Sequence, residues 1–142
     1  MIINLIRYMA VLLAACAPVV RSGAGPDRTV ELRRGPAEPM KLPLQAGGEV
    51  ERRTVIVTFS YSNPCRLPLR RARIRREGST VHLLPEWPPV DPNRVCPDAL
   101  ALEGYQARLT GLAPGDYTVL VHHTAREERT AFPPVRLRVG GR

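Results

Sequence analysis

Signatures of catalysis are scarce in this chain of 142 residues. It has no nucleophile elbow, no phosphate-binding loop, no His-Glu-x-x-His zinc motif and no calcium loop, so the enzyme classes that depend on those motifs find no support. No CxxC spacing occurs, and the three histidines make no ligand spacing with the cysteines, which leaves no metal site or cofactor to expect. A membrane-spanning helix needs about 20 apolar residues. The apolar run after Arg7 stops near Val20 and is interrupted by Pro18, so a retained span is disfavoured. No amphipathic helix or internal repeat is visible. Lysine is almost missing too: Lys41 is the only one, and arginine carries the basic charge.

The first informative stretch is the N-terminal one. Arg7 precedes Tyr8-Met9-Ala10-Val11-Leu12-Leu13-Ala14-Ala15, a hydrophobic segment that ends in small residues before Cys16. That order is the order of an export signal, which is left out of fold reasoning. Leu13-Ala14-Ala15-Cys16 resembles the lipobox of bacterial lipoprotein precursors. The resemblance implies that Leu13, Ala14 and Ala15 are read by the signal peptidase. It implies that Cys16 is acylated on sulfur, by chains such as palmitate, and becomes the first residue. Departures from the pattern are a single arginine and an apolar Ile2-Ile3 start. Simple secretion and an uncleaved N-terminal helix are the competing readings. On the lipoprotein reading, residues 1–15 are the signal peptide, 16–27 a tether and 28–142 the folded domain. The protein then sits in the cell envelope, outside the cytoplasm, attached to a membrane by acyl chains without spanning it.

This address changes how charge and cysteine are read. The formal charge is +8, one unit of which leaves with Arg7. A basic surface attracts nucleic acid, anionic lipid or acidic polymer. Export removes nucleic acid from that list and leaves anionic glycans, lipopolysaccharide or cell-wall polymers. With Cys16 assigned to lipid, Cys65 and Cys96 form an even pair in an oxidising compartment, which reads as one disulfide. Closing that loop is expected to stabilise the domain by about 3–4 kcal/mol. A reactive thiol or metal pair is the alternative.

Beyond the tether, the pattern has a period of two. Arg28–Arg33 alternates and starts the strands. Residues 35–48 carry Pro36, Pro39, Pro43 and paired glycines, which suit a loop or irregular edge. Residues 49–60, with Thr54-Val55-Ile56-Val57-Thr58-Phe59, form the densest β-branched and aromatic run and predict a central strand. Tyr61-Ser62-Asn63-Pro64-Cys65 turns. Residues 69–76 and 79–84 predict a hairpin around Glu77-Gly78. Pro85 to Pro97 holds Trp87 among Pro88, Pro89 and Pro92, a loop that needs an anchor. The disulfide and Trp87 are its candidate anchors.

Tyr105–Leu109, then Leu112-Ala113-Pro114-Gly115-Asp116, then Tyr117–His122, resembles the strand, Leu-x-Pro-Gly-x-Tyr turn and strand of immunoglobulin-like and fibronectin-like modules. Tyr117 matches their corner tyrosine, whose hydroxyl ties the turn back to the chain. Residues 124–130 read as a charged loop and 135–139 as the closing strand. The expected fold is all-β, an immunoglobulin-like antiparallel β-sandwich of about seven strands.

Arg66, Arg70, Arg71, Arg73, Arg75 and Arg76 are the sharpest candidate site. A period of two places Arg71, Arg73 and Arg75 on one face. Guanidinium forks suit carboxylate and phosphate, so an acidic protein, glycan or lipid head group is the matching partner. The plainer reading neutralises them with Glu49, Glu51 or Glu77. His82 meets His122 or His123 only if their strands are neighbours, and Glu127-Glu128 reads as a solvated pair. Trp87 reads as the cover of one end of the core, against an exposed recognition aromatic. The function these features predict is noncatalytic: a lipid-anchored envelope protein acting as a binding or accessory subunit. The alternative is an exported module that binds anionic glycan or lipid through the Arg66–Arg76 patch.

Overall fold

Alternation in the sequence becomes eight strands: β1 (Arg28–Gly35), β2 (Gly47–Glu51), β3 (Thr54–Ser62), β4 (Arg71–Glu77), β5 (Thr80–Pro85), β6 (Leu102–Leu109), β7 (Gly115–Val121) and β8 (Val135–Val139). The structure is a computed structural model and describes residues 25–35, 46–97, 101–124 and 130–140. The expected signal peptide, the acylation site Cys16, most of the tether and the Glu127-Glu128 pair lie outside the described residues.

The strands follow one another in the order β2-β3-β6-β1-β4-β5-β7-β8. One strand holds this order together. The first half of β1 pairs with β4, from Arg28 opposite Ile74 to Glu31 opposite Arg71. Its second half pairs with β6, from Leu32 opposite Ala107 to Gly35 opposite Gly104. At the changeover the Leu32 N–H donates to the Arg70 carbonyl at 2.7 Å. The terminal strands β2 and β8 also meet. A Cβ at Gly48 would lie 2.9 Å from Val135 Cγ1 and 3.0 Å from Leu137 Cδ1, so the absence of a side chain is what lets β8 approach.

The all-β expectation holds, with two differences. The run 49–60 is not one strand. It breaks at Arg52-Arg53, where Arg52 takes φ 58°, and its first part folds back as β2 against β3. Neither turn residue is glycine, so the turn carries no composition signal. The sheet is also mixed, because β5 and β7 run parallel, with Val81 opposite Val119 and Leu83 opposite Val121. The chain leaves β5, crosses to β6 and returns in the original direction. The hairpin β4–β5 forms as expected, closing on Glu77 opposite Thr80 around Gly78, whose φ is 61°.

The core collects the inward alternates. Val55, Val57 and Phe59 of β3 lie opposite Leu109, Ala107 and Tyr105 of β6. They face Ala72, Val81, Leu83, Val119 and Val121, all buried. Each of the valine and leucine side chains contributes about 1.5–3 kcal/mol by leaving water. Aromatic rings close one end: Phe59 stacks near Tyr105 at 6.0 Å and meets Tyr61 edge-on at 5.4 Å, with Phe132 beside both. Tyr61 donates its hydroxyl to the His122 carbonyl, and burial pushes its phenol far above the ordinary value. At the other end, the Tyr117 hydroxyl donates to the Ala113 carbonyl at 3.0 Å, four residues back, as the corner resemblance implied.

Tyr117→Phe keeps the ring and removes this hydrogen bond together with the longer one that Arg76 donates to the same hydroxyl at 3.4 Å, so it is expected to lower unfolding free energy by about 1 kcal/mol. Leu83→Ala empties a fully buried position and is expected to cost about 2–5 kcal/mol. Urea unfolding of the two variants checks the magnitudes and their order.

Candidate functional site

The hairpin β4–β5 carries the arginine cluster, and the pleat divides it. Ala72 and Ile74 point into the core, so Arg71, Arg73 and Arg75 project from the outer face while Arg76 lies on the inner one at the strand's end. Arg73 Nε stands 3.6 Å from Asp27 Oδ2, and Arg75 Nε stands 3.2 Å from Glu77 Oε1. Arg76 donates from Nε to the Gly78 carbonyl at 2.9 Å and lies 5.4 Å above the Tyr117 ring, within cation–π range. Of the three glutamates expected to neutralise the cluster, Glu77 does so. Glu51 pairs instead with Arg108 at 3.2 Å. Among the described residues, Arg70 and Arg71 enter no ion pair. They border a shallow hollow with Pro68, Glu86 and Pro88.

Neighbouring β5 and β7 bring two histidines together. His82 Nδ1 and His122 Nε2 are 3.0 Å apart, with the rings 25° from parallel. At that distance one nitrogen carries the proton and the other accepts it. Glu77 Oε2 lies 3.6 Å from His82 Nε2 on the other side. His123 goes elsewhere: its carbonyl accepts the Trp87 indole N–H at 3.0 Å. Among the described residues, no group of three histidine, cysteine or acidic side chains is placed to hold a metal ion.

Two loops meet at the end of the domain where β4 starts. Cys65 and Cys96 form the disulfide, with Cα atoms 4.9 Å apart, and Arg94 donates to the Cys65 carbonyl at 2.9 Å. Trp87 packs edge-on against Tyr61 and Tyr105 at 5.6 and 6.4 Å, covering this end of the core. Asn63, only 3% exposed, organises the loop that carries Arg66 and Arg70. Its carbonyl oxygen accepts the Leu67 N–H at 2.9 Å, and its amide reaches the Leu67 carbonyl at 2.8 Å and Glu103 Oε2 at 2.7 Å. Tyr105 also donates to Glu103 Oε2, at 2.6 Å. Sequence reasoning missed this network. The Asn63-Pro64 dipeptide marked a turn but could not say that a carboxylate 40 residues away would complete it.

Burial opposes ionisation of Glu103, but the hydrogen bonds from Tyr105 and Asn63, with the charge of Arg34, outweigh it and hold the carboxyl below its ordinary range. Burial and the same bond push the Tyr105 phenol up to about 12.

No protein-family model matches the chain, and neither the curated proteins nor the solved structures contain a match.

Because the folded carboxyl of Glu103 titrates below the unfolded one, its contribution is complete above the ordinary carboxylate value of about 4.3 and is lost as pH falls through the folded value. Glu103→Gln is expected to cost about 1 kcal/mol at pH 7. The difference from the parent should shrink on acidification below about pH 4. Urea titrations at pH 7, 4.5 and 3 read both the size and the sign.

Proposed function

We propose that the chain is a noncatalytic, lipid-anchored envelope domain that works by binding or as an accessory subunit. The Cys65–Cys96 bridge carries this reading, because disulfides persist in oxidising compartments. It also leaves Cys16 as the one cysteine outside the pair, directly behind the Leu13-Ala14-Ala15 leader. An acylated Cys16 tethers the domain to a bilayer surface.

A second reading is favoured by Arg70 and Arg71, which enter no ion pair among the described residues and flank the hollow beside Pro68 and Pro88. It is recognition of an anionic glycan or lipid head group by the exposed part of the cluster, to which Arg66 contributes from the adjoining loop.

Mass spectrometry of the mature protein from membranes tests the first reading. The expected species starts at an acylated Cys16, and Cys16→Ser should release the domain from the membrane fraction. An unacylated chain retaining Met1 overturns it. Heparin chromatography at graded salt tests the second. The triple variant of Arg66→Gln, Arg70→Gln and Arg71→Gln should elute with a charge-matched unrelated protein, whereas Arg75→Gln should elute near the parent.

A further inference from the structure

The changeover of β1 opens a wedge that the core does not fill. Over Arg28–Glu31 this strand pairs with β4 alone, and the end of β6, up to Leu109, pairs with β3 alone. Between them lies a cleft of ≈ 270 Å³. Its depth is apolar, formed by Val30, Ile74, Val81, Leu109 and Leu112. Its polar rim has one sign of charge. Arg28 and Arg76 border it, and among the described residues no aspartate or glutamate lines it. Arg76 is held in place by the Gly78 carbonyl and the Tyr117 ring. Arg28 stands on the same face as Ile74, and among the described residues it enters no ion pair.

We propose that this wedge binds one short-chain amphiphile with an anionic head, a free fatty-acid carboxylate. The apolar depth takes the acyl chain, and the carboxylate meets Arg28 and Arg76 at the rim. Ligand pockets commonly span about 300–1,000 Å³, so a cleft just below that range admits a single chain and excludes a two-chain phospholipid. Guanidinium forks and carboxylates form charge-assisted bonds about twice as strong as neutral ones, which selects the sign of the head group. The site lies on the inner face of β4, away from Arg71, Arg73 and Arg75, and does not depend on acylation of Cys16.

The test uses the full-length chain carrying Cys16→Ser, so that no acyl chain on the protein competes, with methyl-labelled Ile, Leu and Val. Decanoate below its micellar concentration should shift the methyl resonances of Ile74, Val81, Leu109 and Leu112 in a saturable manner. Decyltrimethylammonium, with the same chain and the opposite head charge, should bind at least about tenfold more weakly. Arg28→Gln, an exposed substitution that leaves the core intact, should weaken decanoate about tenfold and leave the cation unchanged. Leu112→Trp fills a half-buried part of the wedge and should abolish both responses, with the remaining spectrum unchanged. Absence of saturable shifts at these methyls, equal affinity for the two head groups, or an unaltered Arg28→Gln overturns the proposal. Binding to phosphatidylglycerol vesicles without a decanoate response would overturn it too, and would assign the basic surface to membrane contact. None of these outcomes alters the mass measurement that decides the lipid anchor.

Discussion

The strand β1 must serve two partners, and the architecture depends on how it does so. An interior strand can pair on both edges over the same residues, as β3 does over Val55–Thr58, but β1 divides its eight residues between two neighbours instead. The strand gives four residues to each, with Leu32 turning its N–H to the Arg70 carbonyl where the partner changes. This single division lets β2, β3 and β6 fold over β4, β5, β7 and β8 so that both inner faces share one core. It also leaves two stretches of strand edge unpaired against each other, and the apolar wedge lies between them. The cleft is therefore a consequence of closing the core with one shared strand, not an addition to it.

Much of this was legible in the residues, because period-two patterning reports faces directly. Val55, Val57 and Phe59, or Tyr117, Val119 and Val121, announce an inner face whatever they pack against. Turn chemistry at Glu77-Gly78 and at Pro114-Gly115 fixed where strands end. What patterning does not report is which strand lies beside which. The parallel neighbours β5 and β7 follow from the path of the chain through β6, so the contact of His82 with His122 could be stated only as a condition. The turn at Arg52-Arg53 was hidden for another reason. A left-handed arginine has the composition of a strand position, and only the ladder between β2 and β3 holds it in that conformation.

The arginine cluster shows the same limit in electrostatic form. Six guanidinium groups within eleven positions look like one patch in sequence. In three dimensions β4 sends Arg73 and Arg75 toward Asp27 and Glu77, and seats Arg76 against Tyr117. Exposed pairs of this kind contribute about 0–1 kcal/mol, so their effect is to lower the repulsion within the cluster more than to stabilise the fold. The cluster thus separates into neutralised residues along the strand and available ones where the loop enters it.

That separation follows from the unequal ends of the domain. Where β3 ends and β4 begins, the disulfide, the Asn63–Glu103–Tyr105 network and Trp87 tie three distant segments together. Loops so constrained hold exposed groups such as Arg66 and Arg70 at fixed positions. Where β4 ends and β7 begins, the tie is lighter: the Tyr117 hydroxyl on Ala113 and the Arg76 guanidinium on the Tyr117 ring. The disulfide and Trp87 seal one end, and the cleft bordered by Arg28 and Arg76 lies at the other. Each property arises from where the chain placed its cross-links.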